Sequence, residues 1–286
     1  MQTSAHRSLV SQKAATIVLI DSGVGGLSML PELRTHLPEA SLIYYADHEH
    51  FPYGPKSEDA LNTIVLGVVT EIVSVVQPDI LVVACNTAST VVLPSLRATF
   101  PFPVVGVVPA VKPAAALSKS GTIGLLATKG TVTRAYTDKL IDQFASSVRV
   151  IRVASSRLVE IAEAKIQGGH VNLRDVEEEL APFFGAHIHP AVDTIVLGCT
   201  HFPLLRQELE AVVPWRLNWL DSAEAVARRV VDLLDRTSTD QRQVQHMRAG
   251  AGEAVGRYLV KSSRPPLSPA FISFLQGMGL SVNVIR

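Results

Sequence analysis

The chain has 286 residues, 47% of them hydrophobic, enough for one large core or two smaller ones. Lysine plus arginine and aspartate plus glutamate stand at 26 each, with no basic block suited to a phosphate backbone, so nucleic acid is not an expected partner. The apolar runs stop at strand-like lengths, and residues 1–15 carry no compact signal-peptide core, so the expected location is cytoplasmic with no membrane partner.

Residues 1–15 read as a flexible polar tail. The run TIVLI at 16–20 then closes on DSGVGG at 21–26 before the helix-like LSMLPEL, a strand, glycine turn and helix in succession. A helix is expected around 57–76, followed by ILVVA at 80–84, CNTAS at 85–89 and a further short run, VVGVV, at 104–108. The plan restarts at TIGLL, 122–126, with ATKGTVTRAY behind it. VRVIRVA at 148–154 precedes the helical SRLVEIAEAKI, and TIVLG at 194–198 runs directly into CTHFPLL. AEAVARRVVDLL, 223–234, reads as an amphipathic helix, and Arg236 to Gly252 as a linker or mobile loop.

Recurrent strand endings followed by helices predict an α/β fold of two similar open, mostly parallel sheets flanked by helices, with the active site between the domains. The first domain is expected at 16–112, completed by 221–286, and the second at 113–220.

The two cysteines form neither a disulfide framework nor a C-x-x-C pair. A free cysteine is commonly a small buried hydrophobe, yet Cys85 and Cys199 each leave a strand where a helix begins, and helix-start N–H groups favour a thiolate there. Two separated thiols suit inversion at a carbon: one removes a proton from one face while the other donates to the opposite face. Asp21 and Ser22 end the first strand, where Asp21 can orient an amino group, aid proton exchange or simply cap a helix. GVGG lacks both the full G-x-G-x-x-G pattern and a P-loop lysine, so it is not read as a nucleotide site. His201, two residues after Cys199, can polarise that thiol or cap a helix. Asn86, Thr87 and Thr200 offer short polar groups to a carboxylate and are equally normal helix-starting residues. Tyr53 and Gly54 of FPYG supply a ligand wall and a close backbone approach or a packed turn. Glu160 stands as an acid near the second thiol or as an ordinary solvated helix residue.

In this order, DSGVGG, FPYG (51–54), ACNTAS (84–89), LLATKGT (125–131) and VLGCTHFPLL (196–205) resemble glutamate racemase of the aspartate/glutamate racemase family, from about Thr16 to Leu234 with a weaker C-terminal continuation. The resemblance implies two α/β domains enclosing glutamate and a two-cysteine reaction with no cofactor or metal that supplies D-glutamate for peptidoglycan. It assigns Cys85 to the D enantiomer and Cys199 to the L enantiomer, with Asp21, His201 and Glu160 as polar helpers. Ser22, Tyr53, Gly54, Asn86, Thr87, Thr128, Thr200 and His201 would hold the substrate. Phe202 departs from the tyrosine of many relatives. VVGVVPAVKPAA resembles the branch in which a UDP-linked peptidoglycan precursor activates the enzyme, and a homodimer is compatible with the chain. The alternatives are an aspartate racemase, a thiol-dependent hydrolase forming an acyl intermediate with Cys199 and His201, and a non-catalytic small-ligand-binding protein.

Overall fold

Short, apolar, β-branched runs set the strands, and the two sheets they build repeat one topology. The computed structural model describes residues 14–185, 188, 191–241, 256–261 and 267–285. The tail at 1–13, the polar stretch at 242–252 and the proline-rich turn ahead of Leu267 lie outside the described residues. In chain order the strands are β1 (Thr16–Asp21), β2 (Ser41–Ala46), β3 (Ile80–Val83), β4 (Val104–Gly106), β5 (Thr122–Ala127), β6 (Arg149–Ala154), β7 (Thr194–Leu197), β8 (Asn218–Leu220), β9 (Gly256–Lys261) and β10 (Ser281–Ile285). One sheet runs β10-β9-β2-β1-β3-β4 and the other β6-β5-β7-β8, with parallel pairing throughout both. The order β2-β1-β3-β4 in the first sheet is the order β6-β5-β7-β8 in the second. The likeness between halves therefore extends from strand endings to strand connection.

Central strands covered by helices on both faces must be apolar on both sides, and β1, β3, β5 and β7 are buried along nearly their whole length. Successive residues of β1 feed opposite cores. Ile17 and Leu19 pack with Val226, Val230 and Phe271, whereas Val18 and Ile20 pack with Leu61, Val65 and Val92. The second sheet divides in the same way: Ile195 and Leu197 meet Leu158 and Phe183, and Val196 meets Val111 and Ala114. The helix Val111–Leu117 thus packs on the second sheet, and the helix Ala223–Gln241 on the first. This last helix runs through residues 236–241, where a linker is expected from the sequence, and Arg236 pairs with Asp232 four residues earlier. On the first sheet β9 lies beside β2, with Tyr258 stacked on Tyr44 at 5.7 Å between ring centroids, and β10 lies beside β9.

Gly124 in β5 marks a close approach: a Cβ there would lie 2.7 Å from Phe183 Cε1 and 3.0 Å from Ile195 Cγ1. Replacing Gly124 with alanine overpacks this interior and is expected to lower the unfolding free energy by about 1–3 kcal/mol, read from denaturant titration. A loss below about 0.5 kcal/mol would show that Phe183 yields at little cost.

Candidate active site

Register places the two cysteines at equivalent points. In the first sheet Ile20 pairs with Val83, and Cys85 follows two residues beyond Val83. In the second, Leu126 pairs with Leu197, and Cys199 follows two residues beyond Leu197. The residues after the paired central-strand positions are Asp21 and Ala127, so the halves share their thiols and differ in their acid. Both strand sets present their C-terminal ends to one cavity of about 580 Å³, lined among others by Asp21, Cys85, Asn86, Thr128, Cys199 and His201. Ser22, Tyr53, Gly54, Thr87, Thr200 and Glu160 line it as well, so every candidate catalytic or substrate-holding residue of the sequence borders this one space.

Cys85 immediately precedes the helix Asn86–Thr99 and is buried. Burial pushes its thiol well above the ordinary range and the charge of Asp21 adds to that, while the backbone N–H groups of Ala88 and Thr87 oppose it. Cys199 is also buried, with its sulfur 3.8 Å from His201 Nδ1. Asp21 joins the two halves. Its carboxylate accepts from the N–H of Ser22 at 2.6 Å, the N–H of Gly26 at 2.7 Å and the hydroxyl of Thr200 at 3.0 Å. Burial raises Asp21 to about 6 against the opposing pull of His201 and these hydrogen bonds. For His201, burial disfavours the charged ring, yet hydrogen bonds to Cys199 and Glu163 and the nearby charges of Cys199 and Asp21 hold it well above its usual value.

The acid paired with this imidazole is Glu163, which is not among the residues that the sequence singles out. His201 Nε2 lies 2.8 Å from Glu163 Oε1, and the same oxygen accepts from Val24 N–H at 2.8 Å. Burial would raise Glu163, but the hydrogen bond and charge of His201 outweigh it and leave the carboxylate below its usual range. Glu160, one helical turn earlier on Arg157–Ile166, lines the cavity but pairs with Arg157 at 3.2 Å, and more than half of its side chain is exposed. Both glutamates lie on one helix face, so spacing alone does not say which turn meets His201.

Thr87, Thr128 and Thr131 bring three hydroxyls within 2.8–3.2 Å of one another across the two halves. Arg134, likewise not singled out by the sequence, reaches over the same seam to donate to Thr87 O at 2.6 Å and Thr90 Oγ1 at 2.9 Å, with Glu58 at 3.6 Å. Asn86 Oδ1 is buried without a hydrogen-bond partner, an acceptor suited to an ammonium group entering the cavity. Tyr53 is buried and its hydroxyl donates to Asp47 Oδ2 at 2.7 Å, so it contributes a fixed wall and holds the FPYG turn. Phe202 is fully buried in the second core, in the same cluster as Cys199.

Burial of Asp21 makes the stability of the fold depend on pH. The folded protein holds this proton to about pH 6 and a free aspartate only to 3.8, so the contribution is full below 3.8 and is lost as pH rises through 6. The free-energy difference between the protein and its Asp21→Asn variant should therefore change by about 3 kcal/mol between about pH 3.5 and pH 7.5, favouring the variant as pH rises. A flat difference in paired urea titrations would contradict this.

Two buried thiols at matching strand ends of one cavity, with Asp21 beside the first and His201 beside the second, fit an isomerase that inverts a carbon. The sequence matches the Asp/Glu/Hydantoin racemase family over residues 6–230, and the chain belongs to that family. It is 48% identical over 219 residues to the glutamate racemase of Glaesserella parasuis, covering 77% of this chain and 81% of the relative, and 47% identical over 239 residues to that of Klebsiella pneumoniae, covering 84% of each. The fold resembles the crystal structure of Escherichia coli glutamate racemase in complex with L-glutamate and the activator UDP-MurNAc-ala, with a TM-score of 0.83, 41% identity and coverage of 95% of this chain and 97% of that one. A glutamate racemase isoform from Bacillus anthracis matches with a TM-score of 0.75 at 27% identity, covering 96% and 98%.

Proposed function

We propose that the protein interconverts L- and D-glutamate by direct proton transfer between Cys85 and Cys199, with no cofactor or metal, and supplies D-glutamate for peptidoglycan synthesis. The observation that carries this reading is the equivalent placement of the two cysteines at one shared cavity. Cys199 as thiolate takes the α-proton of L-glutamate, and the Cys85 thiol delivers its own proton to the opposite face. The reverse reaction exchanges these roles, leaving each sulfur in the other's starting protonation state. Exclusion of water and fixed hydrogen bonds stabilise the carbanionic transition state. Asn86 Oδ1 accepts from the substrate ammonium, while Ser22, Gly54, Thr87, Thr128 and Thr200 receive the carboxylates and Tyr53 shapes the wall. Asp21 and His201 assist proton exchange at the thiols, and Glu160 contributes from the cavity rim.

The E. coli relative's complex supports a further element of this proposal, activation by a UDP-linked peptidoglycan precursor. No described helix is long and apolar enough to cross a membrane, which is in keeping with a cytoplasmic location. We propose domains at 16–110 with 221–286 and at 111–220, in place of the limit at 112 expected from the sequence. Moving the first limit ahead of Val111 keeps the helix Val111–Leu117 whole.

Protein purified with a chelator should interconvert both glutamate enantiomers, followed by circular dichroism with and without UDP-MurNAc-alanine. A strict requirement for added metal or pyridoxal phosphate, or absence of turnover under both conditions, would reject the proposal.

A further inference from the structure

We propose that Arg134 is a positioning residue for the first thiol: reaching over from the second half, it holds the opening turn of the helix that starts behind Cys85 and sets a positive charge beside that turn. This rests on the reading of Cys85 as the acid-base group toward D-glutamate. Guanidinium Nη1 donates to Thr87 O at 2.6 Å and to Thr90 Oγ1 at 2.9 Å, and the Thr90 hydroxyl in turn donates to Thr87 O at 2.8 Å. The turn closed in this way is the one whose Thr87 and Ala88 N–H groups oppose the effect of burial on the Cys85 sulfur. Thr87 is gripped by its side chain as well, which meets the hydroxyls of Thr128 and Thr131. Carbonyl and hydroxyl of a single first-half residue are therefore both fixed from one second-half segment, 128–134.

The segment is shaped for this approach. A Cβ at Gly130 would lie 2.5 Å from Gly54 O and 3.2 Å from Thr87 Cγ2, so a side chain there would push the segment away from both the FPYG turn and the Cys85 helix. The side chain of Arg134 is only 12% exposed. Burial disfavours its charge, whereas Glu58, 3.6 Å from Nε, and an anionic Cys85 favour it. That attraction is mutual, so a charged Arg134 favours the Cys85 thiolate against Asp21 and Cys199, whose charges oppose it. Glu58 is largely exposed, and water screens its competing pull on the guanidinium. With Nη1 committed to Thr87 and Thr90, it is through the helix turn that Arg134 bears on the sulfur.

The test uses Arg134→Ala, with free guanidinium or urea added back at equal millimolar concentration, since the two share a planar shape and only the first is charged. Racemisation should fall by about tenfold or more, and wash-in of solvent deuterium at Cα of D-glutamate should fall more than wash-in to L-glutamate. Guanidinium should restore much of both, and urea should not. In the absence of substrate, alkylation of each cysteine by iodoacetamide is followed peptide by peptide. Guanidinium should speed modification of Cys85 relative to Cys199 by about threefold or more, and urea should leave that ratio unchanged. Guanidinium acting no better than urea, or a folded variant with unchanged wash-in to D-glutamate, would overturn the proposal. Should Arg134→Ala not fold, Arg134→Met keeps most of the apolar stem without the charge, and an unchanged ratio of wash-in to the two enantiomers in that variant would overturn it equally. The alkylation ratio needs no turnover, so it separates failure of this inference from failure of the two-thiol reaction.

Discussion

Replacing either Cys85 or Cys199 with serine is expected to reduce racemisation by about 10²- to 10⁴-fold, because serine nearly preserves size but is a far weaker acid-base group near neutrality. The enantiomers have equal free energy, so kcat/KM must fall by the same factor in both directions for each variant. The distinction between thiols appears in exchange. Loss of Cys85 should most directly suppress proton removal from D-glutamate, and loss of Cys199 removal from L-glutamate. Both cysteines are buried, so folding and glutamate binding are measured alongside. A folded, ligand-binding variant that keeps near-normal inversion would end the two-cysteine account.

Asp21→Asn should lower activity in both directions by about 10²-fold or more, since the side chain works at the junction of the two halves. Its carboxylate gathers donors from Ser22, Gly26 and Thr200, and an amide nitrogen placed toward Gly26 and Thr200 would set donor against donor. The variant also removes the anion that helps keep His201 charged. In the unaltered protein, activity should decline as pH falls through about 6, where Asp21 takes up its proton. The variant should lack that limb, and a limb unchanged in position would assign it to another group.

Much of this site is readable because its chemistry sits at strand ends. TIVLID, ILVVAC and TIVLGC are apolar runs that stop on a polar or nucleophilic residue, and a parallel sheet gathers such endings at one edge. SLIYYA and NWL are strands that the sequence pattern does not announce. The first has tyrosines at its centre that serve the core, with Tyr44 stacked on Tyr258, and the second is a three-residue edge strand too short to show a period. The helix Ala223–Gln241 outruns the apolar pattern of 223–234, and the pairing of Arg236 with Asp232 supports its exposed surface there.

Glu163 and Arg134 are hidden for a different reason: their significance lies in partners distant in sequence, His201 and Val24 for the first and Thr87 for the second. Glu163 is chosen over Glu160 by the approach of Val24, and Arg134 by the carbonyl of Thr87, neither of which leaves a mark in local spacing. The glycines of DSGVGG behave in a related way. Read locally they permit a tight turn, whereas in the fold they make room for side chains distant in sequence.

Two opposed thiols can be told from a single shuttling group by following the hydrogen itself. L-glutamate deuterated at Cα is incubated with the protein in ordinary water, and the first D-glutamate formed is analysed by mass spectrometry. With Cys199 removing deuterium from one face and Cys85 supplying a solvent-derived proton to the other, early D-glutamate should carry hydrogen at Cα almost completely. Substantial deuterium retained in that product would mean that one group carries the same nucleus from face to face, and would contradict proton transfer by two opposed thiols.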